Sequence, residues 1–302
     1  MKDGKEVIHD YNGRDYRTVW EHPRAMFEDR FETKLTKKLV THAPGWFIDV
    51  GAGYGRVYPV YKRKDRKVVL VDYAMNLMEI AVETYGTDEN VFFVVANGYH
   101  LPFRSEVFNG GISIRTFHHI NVPSKFLKET ARVMKNGSSF LMEYANKRNL
   151  FRIFKRGKRA LTKDHEEYEP LLFGTHPGYF KKTAEDSGFR VVRTLGTGFF
   201  PRFITEKTKS FAKVLAMSEV LFDCTFGRLR FAPMNFAELE KEGRKESKHK
   251  NVPSDIKDIL ACPACGNTLD LRAPDAVKCV SCKRSFPKKG KIFDLRYAPK
   301  EK

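Results

Sequence analysis

The sequence predicts an α/β protein: a doubly wound, mostly parallel sheet of seven strands, followed by a small four-cysteine metal module. Short apolar runs alternate with helix-period segments over most of the chain, the signature of strands joined by crossover helices. The first of those runs ends in a cluster of glycines. Four of the five cysteines fall into two C-x-x-C pairs near the C-terminus, which is metal-ligand spacing and not a disulfide framework.

Residues 18–41 place Phe27, Phe31, Leu35 and Leu39 four apart with charges between, and predict a helix. WFIDV (46–50) and KVVLVD (67–72) are the first two strands, and AMNLMEIAVETYG (74–86) is a helix closed by Gly86. VFFVVA (91–96) and GGISI (110–114) supply the third and fourth strands. PSKFLKETARVMKNG (123–137) is a helix with proline at its start and glycine past its end, and SSFLMEYA (138–145) is the fifth strand. A basic segment (147–163), a helix from near Pro177, a strand RVVRTL (190–195), an apolar helix (209–222) and a strand around LRFAPMNF (229–236) follow. The run 238–254 is charged and nearly devoid of apolar residues, so it reads as a linker. The predicted units are therefore 1–237, the linker 238–254 and the cysteine module 255–302. A unit of that last size needs a metal or disulfides to hold it.

The bulk properties exclude some classes. No stretch approaches the ~20 apolar residues of a membrane span, and MKDGKEVIHDYNGRDY has no apolar leader core. With metal-spaced cysteines, this predicts a reducing, cytoplasmic setting. The net charge of +18 favours contact with a polyanion, either nucleic acid or an acidic membrane surface.

The chemistry centres first on IDVGAGYGR (48–56), which follows a strand and opens a helix. Gly51, Gly53 and Gly55 allow a tight turn and close approach of backbone to a ligand. A dinucleotide fingerprint wants G-x-G-x-x-G, whereas here the third glycine arrives one residue early. Asp49, two positions before the first glycine, suits a cationic ligand end better than a phosphate. Asp72 ends the second strand, where a carboxylate can accept both hydroxyls of a ribose. That combination argues against a nicotinamide oxidoreductase.

From Trp20 to about Phe236 the chain resembles class I methyltransferases of the group that includes ubiquinone and menaquinone methyltransferases. The likeness lies in the order of five blocks: IDVGAGYGR, VVLVDYAMNLMEIA, VVANGYHLPF, ISIRTFHHI and FLKETARVMKNGSSFLMEYANKRN. The resemblance implies a Rossmann-like fold and S-adenosylmethionine bound above the C-terminal ends of the strands. It implies that Asp49, Gly51, Ala52 and Gly53 face the methionine moiety and that Asp72, with Tyr73, faces the ribose. Asn97 and Gly98 would face the adenine edge, and Arg115 to Phe117 would line the pocket floor. Asparagine stands at 97 and 109 where the family usually has aspartate. Asn97 can still accept a hydrogen bond but without charge assistance, and Asn109 reads as a turn residue. The sequence shows no catalytic triad, and His118, His119 and Glu143 are the candidate groups near the acceptor.

Residues 147–163 hold eight basic residues and no acid, with Leu150, Phe151, Ile153, Phe154 and Leu161 interleaved. That suits an amphipathic helix serving as a lid, an RNA contact or a contact with acidic lipid. Cys262, Cys265, Cys279 and Cys282 are spaced C-x2-C-x13-C-x2-C, as in a closed zinc ribbon, with rubredoxin-type iron as the alternative. Cys224 reads as a buried free thiol. In ACPACG, CVSCKRSFP and KGKIFDL the ribbon is similar to the small zinc-binding activator subunit of tRNA, rRNA and translation-factor methyltransferases. Together these features predict a methyltransferase whose acceptor is RNA or a translation component, slightly ahead of a small lipophilic molecule. A non-catalytic RNA-binding protein on a decayed methyltransferase fold is the alternative.

Overall fold

The computed structural model describes residues 4–13, 16–198, 231–243 and 253–297. Its centre is a sheet built from β1 (Gly45–Val50), β2 (Arg66–Asp72), β3 (Val91–Val95), β4 (Phe108–Ser113), β5 (Met134–Ala145), β8 (Phe189–Thr197) and β9 (Met234–Lys241). A separate hairpin pairs β6 (His165–Glu169) with β7 (Leu172–Thr175). The seven central strands lie in the order β3-β2-β1-β4-β5-β9-β8. Strands β1 to β5 are parallel, and β9 runs antiparallel to both of its neighbours.

Alternation along β1 and β2 explains how both faces are covered, because successive side chains point to opposite sides of a strand. Trp46, Ile48, Val50, Val69 and Val71 join one core. It also takes in Phe126 and Leu127 of α4 (Pro123–Val133) and Phe180 of α6 (Pro177–Glu185). Phe47, Val68 and Leu70 join the other, with Leu35 and Leu39 of α1 (Pro23–Leu39) and Met78 and Ala81 of α3 (Met75–Tyr85). Helices thus cover both faces, as the doubly wound reading requires.

The ribbon does not sit apart. Its strands β10 (Leu269–Asp270), β11 (Ala276–Cys279), β12 (Ser285–Lys289) and β13 (Ile292–Asp294) extend the sheet to eleven strands, with β13 parallel to β3. Ile292, Phe293 and Asp294 pair with Phe93, Val94 and Val95, and Leu295 N–H donates to Val95 O at 2.8 Å. Just before the first cysteine pair, α7 (Ile256–Ile259) starts on a capping box made by Asp255 and Asp258. Ile256, Ile259, Leu260, Leu269, Val277, Phe286 and Phe293 belong to the same apolar core as Trp46, Phe103 and Phe108. The seven-stranded expectation therefore describes the first unit, and the ribbon continues its edge.

Several element boundaries differ from the sequence reading. The predicted linker start at 238 falls inside β9, because Leu239 is buried while Glu238 and Glu240 pair with Arg193 and Arg190 of β8. The helix expected over 123–137 stops at Val133, since Met134 already pairs with Phe108 of β4. The basic segment is not one helix: α5 (Leu150–Arg156) gives way at Gly157, with φ of +54°, to a 3-10 turn. The helix opened by the glycine loop is the single turn α2 (Tyr58–Tyr61). The expected helix at 209–222 and Cys224 lie outside the described residues.

Candidate active site and metal centre

The glycine loop leaves β1 and turns back over β2. Gly51 and Ala52 both donate their N–H to Val71 O, at 2.8 and 3.0 Å. Gly51 has φ of +78°, and a Cβ there would lie 2.0 Å from Thr116 Oγ1, so no other residue fits. Beside the loop, Asp72 receives Gly53 N–H at 2.8 Å on one oxygen and Ala74 N–H at 3.0 Å on the other. Burial raises its pKa, and those backbone donors oppose the rise. Tyr73 N–H also bears on this carboxylate, and the lone-pair directions that the three backbone donors leave can meet a ligand hydroxyl.

Asp49 is buried at the end of β1, and its carboxylate accepts the Tyr61 hydroxyl. Burial pushes it up to about 7, the Tyr61 hydrogen bond opposes this, and the neighbouring Asp72 adds to it. A buried carboxylate so raised is short of positive charge. The two acids, the loop, Tyr73, Asn97, Gly98 and Arg115 line one cleft of about 1080 Å³, including its open mouth. Asn97 is buried and its Oδ1 accepts Tyr99 N–H at 2.9 Å. It holds the turn that presents Gly98, a task its side-chain oxygen performs without charge.

Arg115 lines the cleft, but its guanidinium is committed elsewhere. It bonds Glu28 at 2.5 Å and Glu32 at 2.6 Å, both from α1. Arg56 joins Asp29 and reaches Glu32 at 2.8 Å, with its guanidinium 3.8 Å above the Trp20 ring. Burial works against the Arg115 charge, and Glu32, Glu28 and Glu143 outweigh it. Arg115 has φ of +59°, and its N–H donates to Glu143 Oε2 at 2.7 Å. Glu143 is therefore a buried support behind Arg115 and not a wall of the cleft. Burial, then Glu32, raises its pKa to about 8.

His119 lines the cleft and His118 does not; His118 is half-buried, and its desolvated surroundings hold its pKa well below the usual imidazole value. Burial lowers His119 to about 4, so its ring is neutral near pH 7. The sequence reading missed the outer wall: Val7, Ile8, His9 and Tyr11 cross the mouth, joined by Tyr16 and Trp20. Their contacts are aromatic, with His9 stacked on Tyr11 at 4.6 Å and against His119 at 4.4 Å.

At the far end of the sheet the four cysteine sulfurs lie within 4.8 Å of one another. Cys262 and Cys282 are 3.7 Å apart, and Cys265 and Cys279 are 3.5 Å apart. Each knuckle ends on a residue of positive φ, Gly266 at +75° and Lys283 at +61°. A tetrahedral ion with ~2.3 Å metal–sulfur bonds requires sulfurs about 3.8 Å apart. The group can hold a metal as it stands.

The basic segment is partly neutralised by the β6–β7 hairpin. Lys147 is buried against Asp164 and Glu166, Arg159 meets Glu166 at 2.5 Å, and Arg152 stacks 4.0 Å over Tyr168. Leu150, Phe151, Phe154 and Leu161 are exposed, Phe154 to 82%, while Ile153 is half-buried. Among the described residues no helix is long and apolar enough to cross a membrane.

Residues 48–142 match the family model described as "Methyltransferase domain". The chain is 26% identical over 168 residues to an uncharacterized protein of Methanocaldococcus jannaschii, covering 55% of this chain and 64% of that protein. It is 28% identical over 119 residues to methyltransferase GfsG of Streptomyces halstedii, covering 38% of this chain and 43% of the relative. It thus spans less than two thirds of the length of either. A methyltransferase structure from Thermotoga maritima, described as S-adenosylmethionine-dependent, superposes with TM-score 0.52 at 14% identity, covering 76% of this chain and 95% of that one. A structure from the complex between the Haloferax volcanii Trm112 methyltransferase activator and its methyltransferase partner gives 0.52 at 16%, covering 78% and 99%. The [4+2]-cyclase SpnF gives 0.54 at 15%, covering 79% and 88%. These likenesses establish the Rossmann-like methyltransferase fold, and SpnF is a reminder that the fold does not dictate the reaction.

Proposed function

We propose that the chain is an S-adenosylmethionine-dependent methyltransferase acting on a small acceptor, with a zinc ion holding its ribbon. One observation carries the cofactor reading. Asp49 is a buried carboxylate raised to about 7 beside a second, half-buried acid, at the lip of a glycine loop. A ligand with a cationic amino-acid end relieves Asp49, and a ribose diol meets the open lone pairs of Asp72. When bound, the cofactor supplies a methyl group on a positively charged sulfur, already a good leaving group. The protein then has to place the acceptor in line and exclude water. Asp49 and Asp72 hold, Asn97 and Gly98 shape the turn at the base end, and residues 7–11 keep water out.

The geometry moves the acceptor towards a small molecule and away from RNA. The two arginines in the cleft lining are both spent on carboxylates of α1 and neighbouring acids. The mouth is crossed by aromatic and apolar side chains. In residues 147–163, the polyanion contact that the sequence suggests, several cations already have partners. Asn97 gives little support to a decayed, non-catalytic fold, because it performs its turn-holding task intact. The ribbon, similar to a methyltransferase activator, acts in this reading as a built-in stabilising module with a closed, structural zinc.

Calorimetric titration with S-adenosylhomocysteine tests the cofactor site. Its amino group needs Asp49 ionised, so affinity should be full above pH 7 and fall as pH drops below about 7, by up to roughly tenfold per unit. NAD should not bind. Affinity flat from pH 5.5 to 8, or tight NAD binding, would overturn the assignment.

A further inference from the structure

Asp49 carries the proposed contact with the cofactor's amino group, yet its own surroundings disfavour its charge. It is 4% exposed at the end of β1, and Asp72 at the end of β2 adds a like charge. Arg56 acts on it through space, with its guanidinium bound to Asp29 and Glu32. The group that touches the carboxylate is Tyr61 of α2, whose hydroxyl donates to Oδ2. Asp49 lines the cleft and Tyr61 does not, so the donor approaches from outside the ligand's place.

Local sequence fixes that donor. Pro59 sets the backbone of the single turn α2, and the Tyr61 ring, 1% exposed, stacks on Phe47 with centroids 5.0 Å apart. Its carbonyl accepts from Arg66 Nη1 at 2.7 Å, and the buried Arg66 guanidinium lies 4.4 Å from the Phe47 ring centre. Tyr58 and Tyr85 are the other titratable groups beside Tyr61, and the Tyr58 hydroxyl donates elsewhere, to Asp88 at 2.7 Å. A hydroxyl enclosed in this way needs an acceptor, and Asp49 supplies it. Burial, then the Asp49 charge, holds the phenol well above its ordinary range, so it stays a donor while a carboxylate titrates. A donor of that kind favours the ionised form of its partner.

We propose that Tyr61 is a positioning residue for the cofactor: its hydroxyl engages one Asp49 oxygen from behind, turns the other towards the cleft and holds the carboxylate charged for the ligand's amino group. This rests on the cofactor reading above and adds to it a residue that lies outside the cleft. Loss of the hydroxyl should weaken binding where Asp49 titrates and leave it unchanged where Asp49 is ionised regardless. Loss of packing alone would weaken binding at every pH.

The test compares the S-adenosylhomocysteine affinities of the full-length wild type and Tyr61→Phe by calorimetry, from about pH 6 to about pH 9. The ratio of the two is the readout, because the ligand's own titration cancels in it. Removing a hydrogen bond to a charged acceptor should raise the Asp49 midpoint by about one pH unit. Tyr61→Phe should then bind roughly tenfold more weakly at about pH 6, and within about twofold of wild type at about pH 9. A ring-fluorinated tyrosine at position 61, of nearly the same shape but a stronger donor, should shift the ratio the other way. Its sign decides the matter if Tyr61→Phe does not fold. Carbon NMR of isotope-labelled aspartates, with the Asp49 signal identified by its loss in Asp49→Asn, should show the midpoint rising in ligand-free Tyr61→Phe, independently of binding. Wild-type binding with a ratio that does not change with pH, or with an unmoved Asp49 midpoint, overturns the role of Tyr61 alone. Failure of the wild type to bind S-adenosylhomocysteine overturns the cofactor reading, and the positioning role with it.

Discussion

The cysteine ribbon and the cleft, each proposed to hold a small bound group, are assembled in opposite ways. The ribbon takes its four ligands from two short knuckles, each closed by a residue of positive φ. The cleft takes its wall from residues as distant as Val7 and Phe126, and its floor rests on a buried ion network reaching back into α1. A site made of local chemistry can be read from spacing. A site made of tertiary packing cannot, and it fails differently when one part is removed.

The largest effect should come from the ribbon. Structural zinc contributes on the order of 10 kcal/mol of binding energy that is also folding energy. Cys279→Ser, or exhaustive chelation, should therefore melt residues 255–297 and uncover the β3 edge together with Trp46 and Phe103 of the shared core. Loss of the metal signal with an unchanged thermal midpoint would show that the two regions are independent after all.

A smaller loss is expected in the cleft floor. Arg115→Met leaves Glu32 and Glu143 buried without their common cation. Breaking such a network from one side costs about 3–5 kcal/mol, measurable by urea unfolding. A loss under 1 kcal/mol would mean that Arg56 alone satisfies α1.

These two sites were not equally legible in the sequence. Asp49, Gly51, Gly53, Asp72 and the four cysteines could be found because strand ends and C-x-x-C spacing fix where such residues point. Glu28, Asp29 and Glu32 could not, because on sequence they are ordinary surface charges of an amphipathic helix, yet Glu32 is fully buried against Arg56 and Arg115. Residues 4–13 are polar and aperiodic, so nothing marks them as a wall. The β6–β7 hairpin escaped because its turn uses Pro170 and a left-handed Leu171 in place of the usual asparagine–glycine pair. Residues 147–163 show the converse error: composition suggested one continuous helix, and Gly157 ends it.

The smallest effect sharpens the contrast at the surface. Changing Arg152, Lys155, Arg156 and Arg159 to glutamine should leave the salt dependence of RNA binding close to wild type, because hairpin residues already engage part of that charge. A slope flattened by several units would instead identify a phosphate contact and return RNA to first place as acceptor.

The pairing of β13 with β3 has a consequence for concentration. A separate subunit that completes a sheet edge is lost on dilution, when its level falls below the dissociation constant. Here the strand is tethered to the sheet it completes, and a short tether gives a local concentration in the millimolar range. Occupancy of that edge is then independent of how much protein is present. A free strand from any other protein would have to displace a competitor that never diffuses away.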